Sequence, residues 1–253
     1  MDELTQAAAR ALACLDLTSL DDGCTEEDID ALCRRAQSPK GPVAAVCIWP
    51  RFIPQATAAL AGTGIGIATV VAFPGGDDDT GEVLETTRQA VIDGADEIDM
   101  VIPYKALIEG HPGMVPSAVA RVVDAAGAAQ VKAILETGLL GDAELIREAA
   151  RLAIEGGADF IKTSTGKVPV NATPEAARVM LEEIAATDRE VGFKPAGGIR
   201  TTEDAAAYLS LCDEIMGPDW AGPATFRIGA SSVLDALLAT LEGRDAPDAG
   251  DGY

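Results

Sequence analysis

Three of the six lysines in this chain lie in two short motifs with the composition of buried strands. Lys162 and Lys167 belong to F-I-K-T-S-T-G-K, and Lys194 belongs to G-F-K-P-A-G-G. Lysine, unlike arginine, can lose its proton when burial or a nearby cation lowers its pKa, and the neutral amine can then attack a carbonyl carbon. These motifs therefore indicate amine chemistry on a carbonyl substrate.

Five charged side chains interrupt runs that are otherwise apolar. They are Asp99, Lys132, Glu136, Lys162 and Lys194. A charged group inside a buried strand must be ion-paired, hydrogen-bonded or shifted in pKa. Two interpretations stay open: a catalytic group, or a salt-bridge network that fills the interior. For Lys132 and Glu136 taken alone, the two are equally favoured.

Lys162 and Lys194 stand on neighbouring predicted strands, so both ammonium groups would enter one interior. Like charges at close range favour the loss of one proton, and a neutral amine can form a Schiff base with an aldehyde or ketone. Asp99, two strands away from Lys162, could relay protons through a water molecule during such a reaction.

Three further segments have the character of anion-binding turns. Gly166-Lys167, Gly197-Gly198 and Ser231-Ser232 each follow a predicted strand, and the serines precede the last predicted helix. Glycine turns and helix N-termini expose backbone N–H groups, and a (β/α)₈ barrel often binds phosphate near its last strands. Each turn alone is weak support for a ligand, but the three together predict a phosphate site.

Short β-branched runs alternate with longer helical stretches, a pattern typical of a parallel sheet covered by helices. The chain length of 253 residues suits a single (β/α)₈ (TIM) barrel domain spanning 1–253, since that fold uses about 250 residues. The eight predicted strands are 44–49, 67–73, 97–102, 131–136, 160–164, 191–195, 214–217 and 226–230.

Amphipathic segments between these runs predict the crossover helices, near 52–61, 80–93, 115–126, 142–155, 174–186 and 202–210, while the seventh crossover, 218–224, is weak. Extra N-terminal helices are expected at 3–13 and 25–37, within residues 1–40 that precede the barrel. The composition of residues 243–253 is typical of a flexible C-terminal tail.

Composition limits the classes of partner. The formal net charge is −22, and the longest run of cations is Arg34-Arg35, so nonspecific nucleic-acid binding is disfavoured. Neither a signal peptide nor a membrane-length apolar run is evident. Five cysteines without a CxxC pair favour reduced thiols. We therefore expect a soluble, cytoplasmic protein that contacts neither nucleic acid nor membrane.

A metal centre is not expected from this sequence. His111 is the only histidine and cannot build a site alone. The acidic run 77–79 could be imagined as a metal cluster, but a solvated loop is the favoured interpretation.

The motifs together resemble those of the deoxyribose-phosphate aldolase family, the class I aldolases of deoxynucleoside catabolism, from about residue 14 to the terminus. The shared segments occur in the family's order: C-L-D-L-T, V-C-I-W-P-R-F-I-P, A-D-E-I-D-M-V-I-P-Y, V-K-A-I-L-E-T-G, G-A-D-F-I-K-T-S-T-G-K, V-N-A-T-P-E, V-G-F-K-P-A-G-G-I-R and G-A-S-S.

The resemblance implies a role for each matching residue. Lys162 would be the Schiff-base lysine, Lys194 the second lysine that perturbs its pKa, and Asp99 the proton relay, while Asp16 and Lys167 would contact substrate hydroxyls. The implied phosphate site comprises Gly166, Lys167, Gly197, Gly198, Ser231 and Ser232. The implied reaction is reversible cleavage of 2-deoxy-D-ribose 5-phosphate into acetaldehyde and D-glyceraldehyde 3-phosphate, without metal or organic cofactor, by a homodimer.

Two positions match the family with alternatives left open. Longer members end in a tyrosine that a flexible tail carries into the site for proton transfer, and this chain ends in Tyr253; an uninvolved tail is the other interpretation. Cys47 lies on the first predicted strand, either as packing or close to the substrate pocket. Two rival functions also remain: an isomerase or different lysine aldolase acting on a ketose phosphate, and a noncatalytic barrel that binds a sugar phosphate.

Overall fold

The computed structural model describes residues 2–77 and 79–244, and these contain an eight-stranded parallel sheet. Its strands are β1 (Leu15–Ser19), β4 (Ala45–Ile48), β5 (Gly66–Val71), β6 (Glu97–Val101), β7 (Gln130–Ile134), β8 (Phe160–Lys162), β9 (Gly192–Lys194) and β10 (Ile228–Ala230). Their order in the sheet is β10-β1-β4-β5-β6-β7-β8-β9. A separate antiparallel pair, β2 (Gln37–Ser38) and β3 (Gly41–Pro42), lies outside this sheet.

The sheet closes into a barrel between β9 and β10, the strands at the two ends of this order. Isolated parallel bridges join Phe193 to Phe226 and Ala196 to Gly229. The backbone hydrogen bond from Gly229 N to Pro195 O, 2.9 Å long, supports the same closure. The predicted (β/α)₈ barrel is therefore confirmed.

Helices occupy the connections between strands. Their bounds are α1 (Glu3–Ala13), α2 (Glu26–Ala36), α3 (Ile53–Ala59), α4 (Thr80–Asp93), α5 (Tyr104–Ile108), α6 (Met114–Ala126), α7 (Thr137–Leu140), α8 (Ala143–Glu155), α9 (Pro174–Ala186), α10 (Thr202–Met216) and α11 (Val233–Glu242). Local sequence explains several starts: Asp142 caps α8, and Thr25 and Thr201 form capping boxes with Asp28 and Asp204.

One predicted strand is wrong and one real strand was missed. Residues 214–216 are the last residues of α10, whose buried stripe includes Leu209 and Cys212, and Gly217, with φ 96°, caps its C-terminus. The first strand is instead β1, where Asp16 and Thr18 alternate with leucines. Both polar residues are buried. Alternation of polar and apolar residues usually places the polar side chains toward solvent, but here it places them toward the barrel interior.

The missed strand also changes the N-terminal region. Because β1 precedes it, α2 is an ordinary crossover helix that packs against α3 and β4. Only α1 precedes the barrel strands, and it packs in the outer layer against α10 and α11. The expectation of two extra N-terminal helices is therefore wrong for α2. Among the described residues, no helix is both long enough and apolar enough to span a membrane.

Candidate active site

Two lysines end adjacent strands at the carboxyl edge of the barrel. Lys162 is the last residue of β8, Lys194 is the last residue of β9, and the two are register partners. Register partners on parallel strands point to the same face, which here is the interior. Lys162 is 3% exposed and Lys194 is fully buried.

One carboxylate oxygen joins these two lysines. Oδ2 of Asp99, on β6, accepts a hydrogen bond from Nζ of Lys162 at 2.7 Å and from Nζ of Lys194 at 2.7 Å. The two nitrogens are therefore close neighbours. The predicted grouping of Asp99, Lys162 and Lys194 is present in the structure.

Four more charged side chains extend this cluster toward the amino ends of the strands. Asp16 Oδ2 lies 2.5 Å from Lys194 Nζ, and Asp16 Oδ1 accepts from Arg227 at 2.7 Å. Arg227 also donates to Glu97 Oε1 at 2.7 Å. Lys132 contacts Glu97 and donates to Asp99 Oδ1 at 3.2 Å.

We call these seven residues the buried ion cluster: Asp16, Glu97, Asp99, Lys132, Lys162, Lys194 and Arg227.

The environment separates the two site lysines in proton affinity. Burial lowers the pKa of Lys162 below its ordinary value; Asp99 opposes this shift and the cation Lys194 reinforces it. Burial also lowers the pKa of Lys194, but its ion pairs with Asp16 and Asp99 outweigh burial and raise that pKa. Lys162 is consequently the amine that loses its proton more readily, as a nucleophile requires.

Asp16 and Asp99 remain ionised. Although burial raises the pKa values of both, Lys194 and Arg227 lower the pKa of Asp16 to about 2. The charges of Lys132 and Lys162 likewise outweigh the effect of burial on Asp99, and they hold the pKa of its carboxyl well below the usual range. Asp99 can therefore accept a proton only transiently, which suits a relay rather than a reservoir.

Glu136 holds the chain that follows Lys162. It is buried and has a left-handed backbone, φ 57° and ψ 55°. Its Oε2 accepts from Thr165 Oγ1 at 2.5 Å, and its Oε1 accepts from Thr165 N at 3.2 Å. Burial raises the pKa of Glu136. Glu136 thus anchors the segment leading into Gly166 and Lys167.

The predicted anion-binding turns lie at the carboxyl ends of the last three strands. Gly166, Gly197 and Gly198 have φ of 83°, 80° and 81°, a region that favours glycine. Ser231 and Ser232 follow β10, and Ser232 Oγ is buried without a hydrogen-bond partner among the described residues. Lys167 Nζ donates to Leu20 O at 2.7 Å, across the mouth from β8 to the segment after β1.

Three other predicted residues have mixed outcomes. The Asp16 carboxylate is fully buried and engaged with Lys194 and Arg227, so contact with a substrate hydroxyl stays a prediction. Cys47 packs with Leu20, Ala68 and Val70 inside the barrel, and burial raises the pKa of its thiol to about 11. Tyr253 lies outside the described residues.

The acidic run after β5 has structural partners for its described members. Asp77 forms a 2.7 Å ion pair with Lys105. Asp79 caps α4 by accepting from the backbone N–H groups of Gly81 and Glu82. These contacts agree with the interpretation of a solvated loop.

Comparison with known proteins tests the resemblance directly. The profile of the DeoC/LacD family aldolases matches residues 10–234. The chain belongs to the DeoC/LacD aldolase family. A deoxyribose-phosphate aldolase of Agrobacterium fabrum (strain C58) is 53% identical over 250 residues, which are 98% of this chain and 96% of that protein.

Solved structures share the aldolase fold. A protein from Coccidioides immitis, known from its crystal structure, is 32% identical in sequence to this chain, with TM-score 0.82, and the match covers 92% of this chain and 86% of that one. A deoxyribose phosphate aldolase from Aeropyrum pernix, described as tetrameric, is 25% identical with TM-score 0.76, over 94% of this chain and 96% of that one.

Sequence reasoning missed Glu97, Arg227 and Thr165 of this aldolase. Glu97 stands two residues before Asp99 in E-I-D-M, and a strand places such positions on one face. Arg227 stands two residues before Gly229 in F-R-I-G-A, by the same spacing. This period of two could have indicated both. The contact between Thr165 and Glu136 joins the segments that follow two separate strands, β8 and β7, and leaves no local signal.

Proposed function

We propose that this protein is a class I aldolase that reversibly cleaves 2-deoxy-D-ribose 5-phosphate to acetaldehyde and D-glyceraldehyde 3-phosphate. One observation carries the proposal. The nitrogens of Lys162 and Lys194 lie 2.7 Å from the same oxygen of Asp99, inside the barrel and at the carboxyl ends of its strands. A (β/α)₈ barrel carries its catalytic groups at that end. The 53% identity to a protein named deoxyribose-phosphate aldolase supports the choice of substrate.

The first step is attack of the neutral Lys162 amine on the aldehyde carbon of the open-chain sugar. The nitrogen forms a bond to C1, the carbonyl oxygen takes up a proton, and the nitrogen loses one. Lys194 stays protonated because Asp16 and Asp99 stabilise its charge. Its positive charge also disfavours a proton on Lys162. Protonation of the carbinolamine hydroxyl and loss of water then give an iminium ion on Lys162.

The second step breaks the bond between C2 and C3. The C3 hydroxyl loses its proton, the C2–C3 electron pair moves toward the iminium nitrogen, and glyceraldehyde 3-phosphate leaves. Protonation of the remaining enamine at C2, followed by addition of water, releases acetaldehyde and restores the amine. Asp99 touches both lysine nitrogens, so it is placed to pass protons through water during these transfers.

The substrate's phosphate is assigned to the turns after β8, β9 and β10. Gly166 and Lys167, Gly197 and Gly198, and Ser231 and Ser232 come from neighbouring positions around the barrel. Backbone N–H groups at such turns and at the start of α11 favour an anion. Because the chain has a formal net charge of −22, its surface as a whole does not attract phosphate, and these turns supply the attraction locally.

The decisive experiment is reduction with borohydride in the presence of acetaldehyde, followed by peptide mapping. An N-ethyl group on the peptide that contains Lys162 is expected, because an iminium formed there is reduced to a stable amine. Lys162→Leu should abolish both the adduct and turnover. Retained turnover in that variant would contradict the assignment of the nucleophile.

The exposed Lys105 provides a matched control. It is paired with Asp77 outside the barrel, so Lys105→Leu should keep both adduct and activity. Acetaldehyde release from 2-deoxyribose 5-phosphate separates this function from its two rivals. A ketose-phosphate enzyme would release none, and a noncatalytic sugar-phosphate binder would give no adduct. We also propose that the protein works as a homodimer in the cytoplasm, that Tyr253 transfers a proton at the enamine carbon, and that Cys47 borders the substrate.

A further inference from the structure

The buried ion cluster contains more cations than carboxylates. Its carboxylates are Asp16, Glu97 and Asp99, and its cations are Lys132, Lys162, Lys194 and Arg227. Arg227, at 7%, is the most exposed of the seven. Buried charges that lack compensation are costly. The cluster is balanced only when one of its four cations is neutral.

Geometry singles out which cation can become neutral. Arg227 cannot lose its proton under ordinary conditions, and it touches both Asp16 and Glu97. Lys132 and Lys194 each lie within 4 Å of two or three carboxylates. Within residues 2–77 and 79–244, Lys162 is ion-paired with a single carboxylate, Asp99, at the open end of the barrel. Lys162 is therefore the least compensated cation.

We propose that Arg227 and Glu97, at the barrel floor, are positioning residues that together set how readily Lys162 loses its proton, because they fix the charge of the ion cluster above them. The inference rests on the proposed function and deepens it. Two chains of contacts carry the effect. One runs from Arg227 through Asp16 and Lys194 to Asp99, and the other runs from Glu97 through Lys132 to the same Asp99.

Two further titratable groups lie near Lys162 but belong to neither of these two series of contacts. Cys47 on β4 is buried, and burial raises its thiol pKa to about 11, so the thiol is uncharged near neutral pH. Glu136, after β7, is bonded to Thr165 and forms no ion pair with a cation of the cluster. Cys47 therefore adds no charge, and Glu136 attracts Lys162 only through a longer-range electrostatic interaction.

The proposal predicts opposite effects from the two partners of one ion pair. Arg227→Met removes a cation, so Lys162 should hold its proton more tightly. Glu97→Gln removes a carboxylate, so Lys162 should release its proton more easily. At a separation of about 10 Å and an effective dielectric constant of about 20, one charge shifts a neighbour's titration by on the order of one pH unit.

The measurement is the rate of adduct formation with acetaldehyde, trapped by cyanoborohydride, as a function of pH. The acid limb should move up by about one pH unit in Arg227→Met and down by about one in Glu97→Gln. The double variant Arg227→Met with Glu97→Gln has the same net cluster charge as the original protein and should return the limb close to its original position. Arg227→Lys keeps the charge without the paired geometry and should leave the limb in place.

The inference would be overturned if the acid limbs of Arg227→Met and Glu97→Gln moved in the same direction, or if neither limb moved. So would an Arg227→Lys limb displaced as far as that of Arg227→Met, since a packing role alone would then explain Arg227. Should Arg227→Met not fold, Glu97→Gln and the double variant decide by the same signs. Absence of any Lys162 adduct in the unaltered protein would instead defeat the proposed function, so the two failures are distinguishable.

Discussion

Glu136 combines three features that are costly to keep at a single residue. Its φ of 57° is unusual for a residue with a side chain, its side chain is fully buried, and both carboxylate oxygens are used by Thr165. Strain of this kind persists only where the surrounding structure holds it. Here it fixes the hydroxyl of Thr165, which in turn accepts from Lys167 N at 3.0 Å.

Glu136→Ala should therefore weaken substrate binding more than it slows the chemical step. Thr165 loses its acceptors, the turn at Gly166 and Lys167 loosens, and the phosphate loses part of its site. We expect KM for 2-deoxyribose 5-phosphate to rise by about tenfold, and stability to fall by about 1–3 kcal/mol because two buried donors are left unpaired. Steady-state kinetics with phosphorylated and unphosphorylated sugar measures the difference.

Glu136→Gln is the matched control, because the amide keeps one oxygen that can accept from Thr165. Its KM should lie between those of the original protein and Glu136→Ala. If Glu136→Ala raised KM equally for the unphosphorylated sugar, the link between Glu136 and the phosphate site would be wrong.

Single residues were predictable from sequence where a charge interrupts an apolar strand. Asp99, Lys132, Glu136, Lys162 and Lys194 all have 3% exposure or less, as that reasoning predicted. In the structure, Lys132 is ion-paired with Glu97 and Asp99, as the salt-bridge interpretation predicted. Its partners could not be named in advance, because pairing between strands depends on register rather than on local sequence.

Strands and helices followed their local patterns with two exceptions, one in the N-terminal and one in the C-terminal part of the chain. Predicted strands such as 97–102 and 131–136 match β6 and β7 to within two residues, because β-branched runs between helical stretches leave few alternatives. The short run E-I-M-G was mistaken for a strand since four residues cannot distinguish the end of a buried helix from a strand. β1 was missed because Asp16 and Thr18 made it look too polar for a barrel strand.

The pairing of β8 with β9 depends on a glycine. Gly192 is the register partner of Phe160, and a Cβ at position 192 would lie 2.3 Å from the Phe160 ring. The ring lies 5.8 Å from Lys132 Nζ and 5.9 Å from the guanidinium carbon of Arg227. It therefore has little freedom to move away without disturbing the buried ion cluster.

Gly192→Ala should destabilise the protein by about 1–3 kcal/mol, the usual cost of overpacking a filled interior. Urea unfolding at neutral pH measures this change. Gly66, on β5, is the matched control: a Cβ there meets its nearest atom at 3.5 Å, an ordinary contact, so Gly66→Ala should be neutral or slightly stabilising. Equal losses from both substitutions would show that the ring contact is not the cause.

The whole molecule separates its charges in a way that composition does not reveal. The sequence gives a formal net charge of −22, which disfavours phosphate-rich polymers as partners. The fold places four cations and three carboxylates inside the barrel, and several surface arginines pair with carboxylates, among them Arg10 with Asp213 and Arg178 with Glu214. The acidic excess therefore lies on the outside, while the interior is close to balanced.

This separation predicts two distinct responses of stability to solution conditions. Because their cationic neighbours hold the folded-state pKa values of Asp16 and Asp99 below the ordinary value, the stability they contribute is complete above about pH 5 and is lost as pH falls toward about 2. For Asp16, with its pKa near 2, the loss is about 2 kcal/mol.

Surface repulsion responds to salt instead, so about 0.5 M NaCl should raise the free energy of unfolding at pH 7. The buried carboxylates are poorly screened, so the acid loss should persist in that salt. Urea titrations at several pH values, with and without salt, measure both responses; disappearance of the acid loss in salt would assign it to the surface and contradict a buried origin.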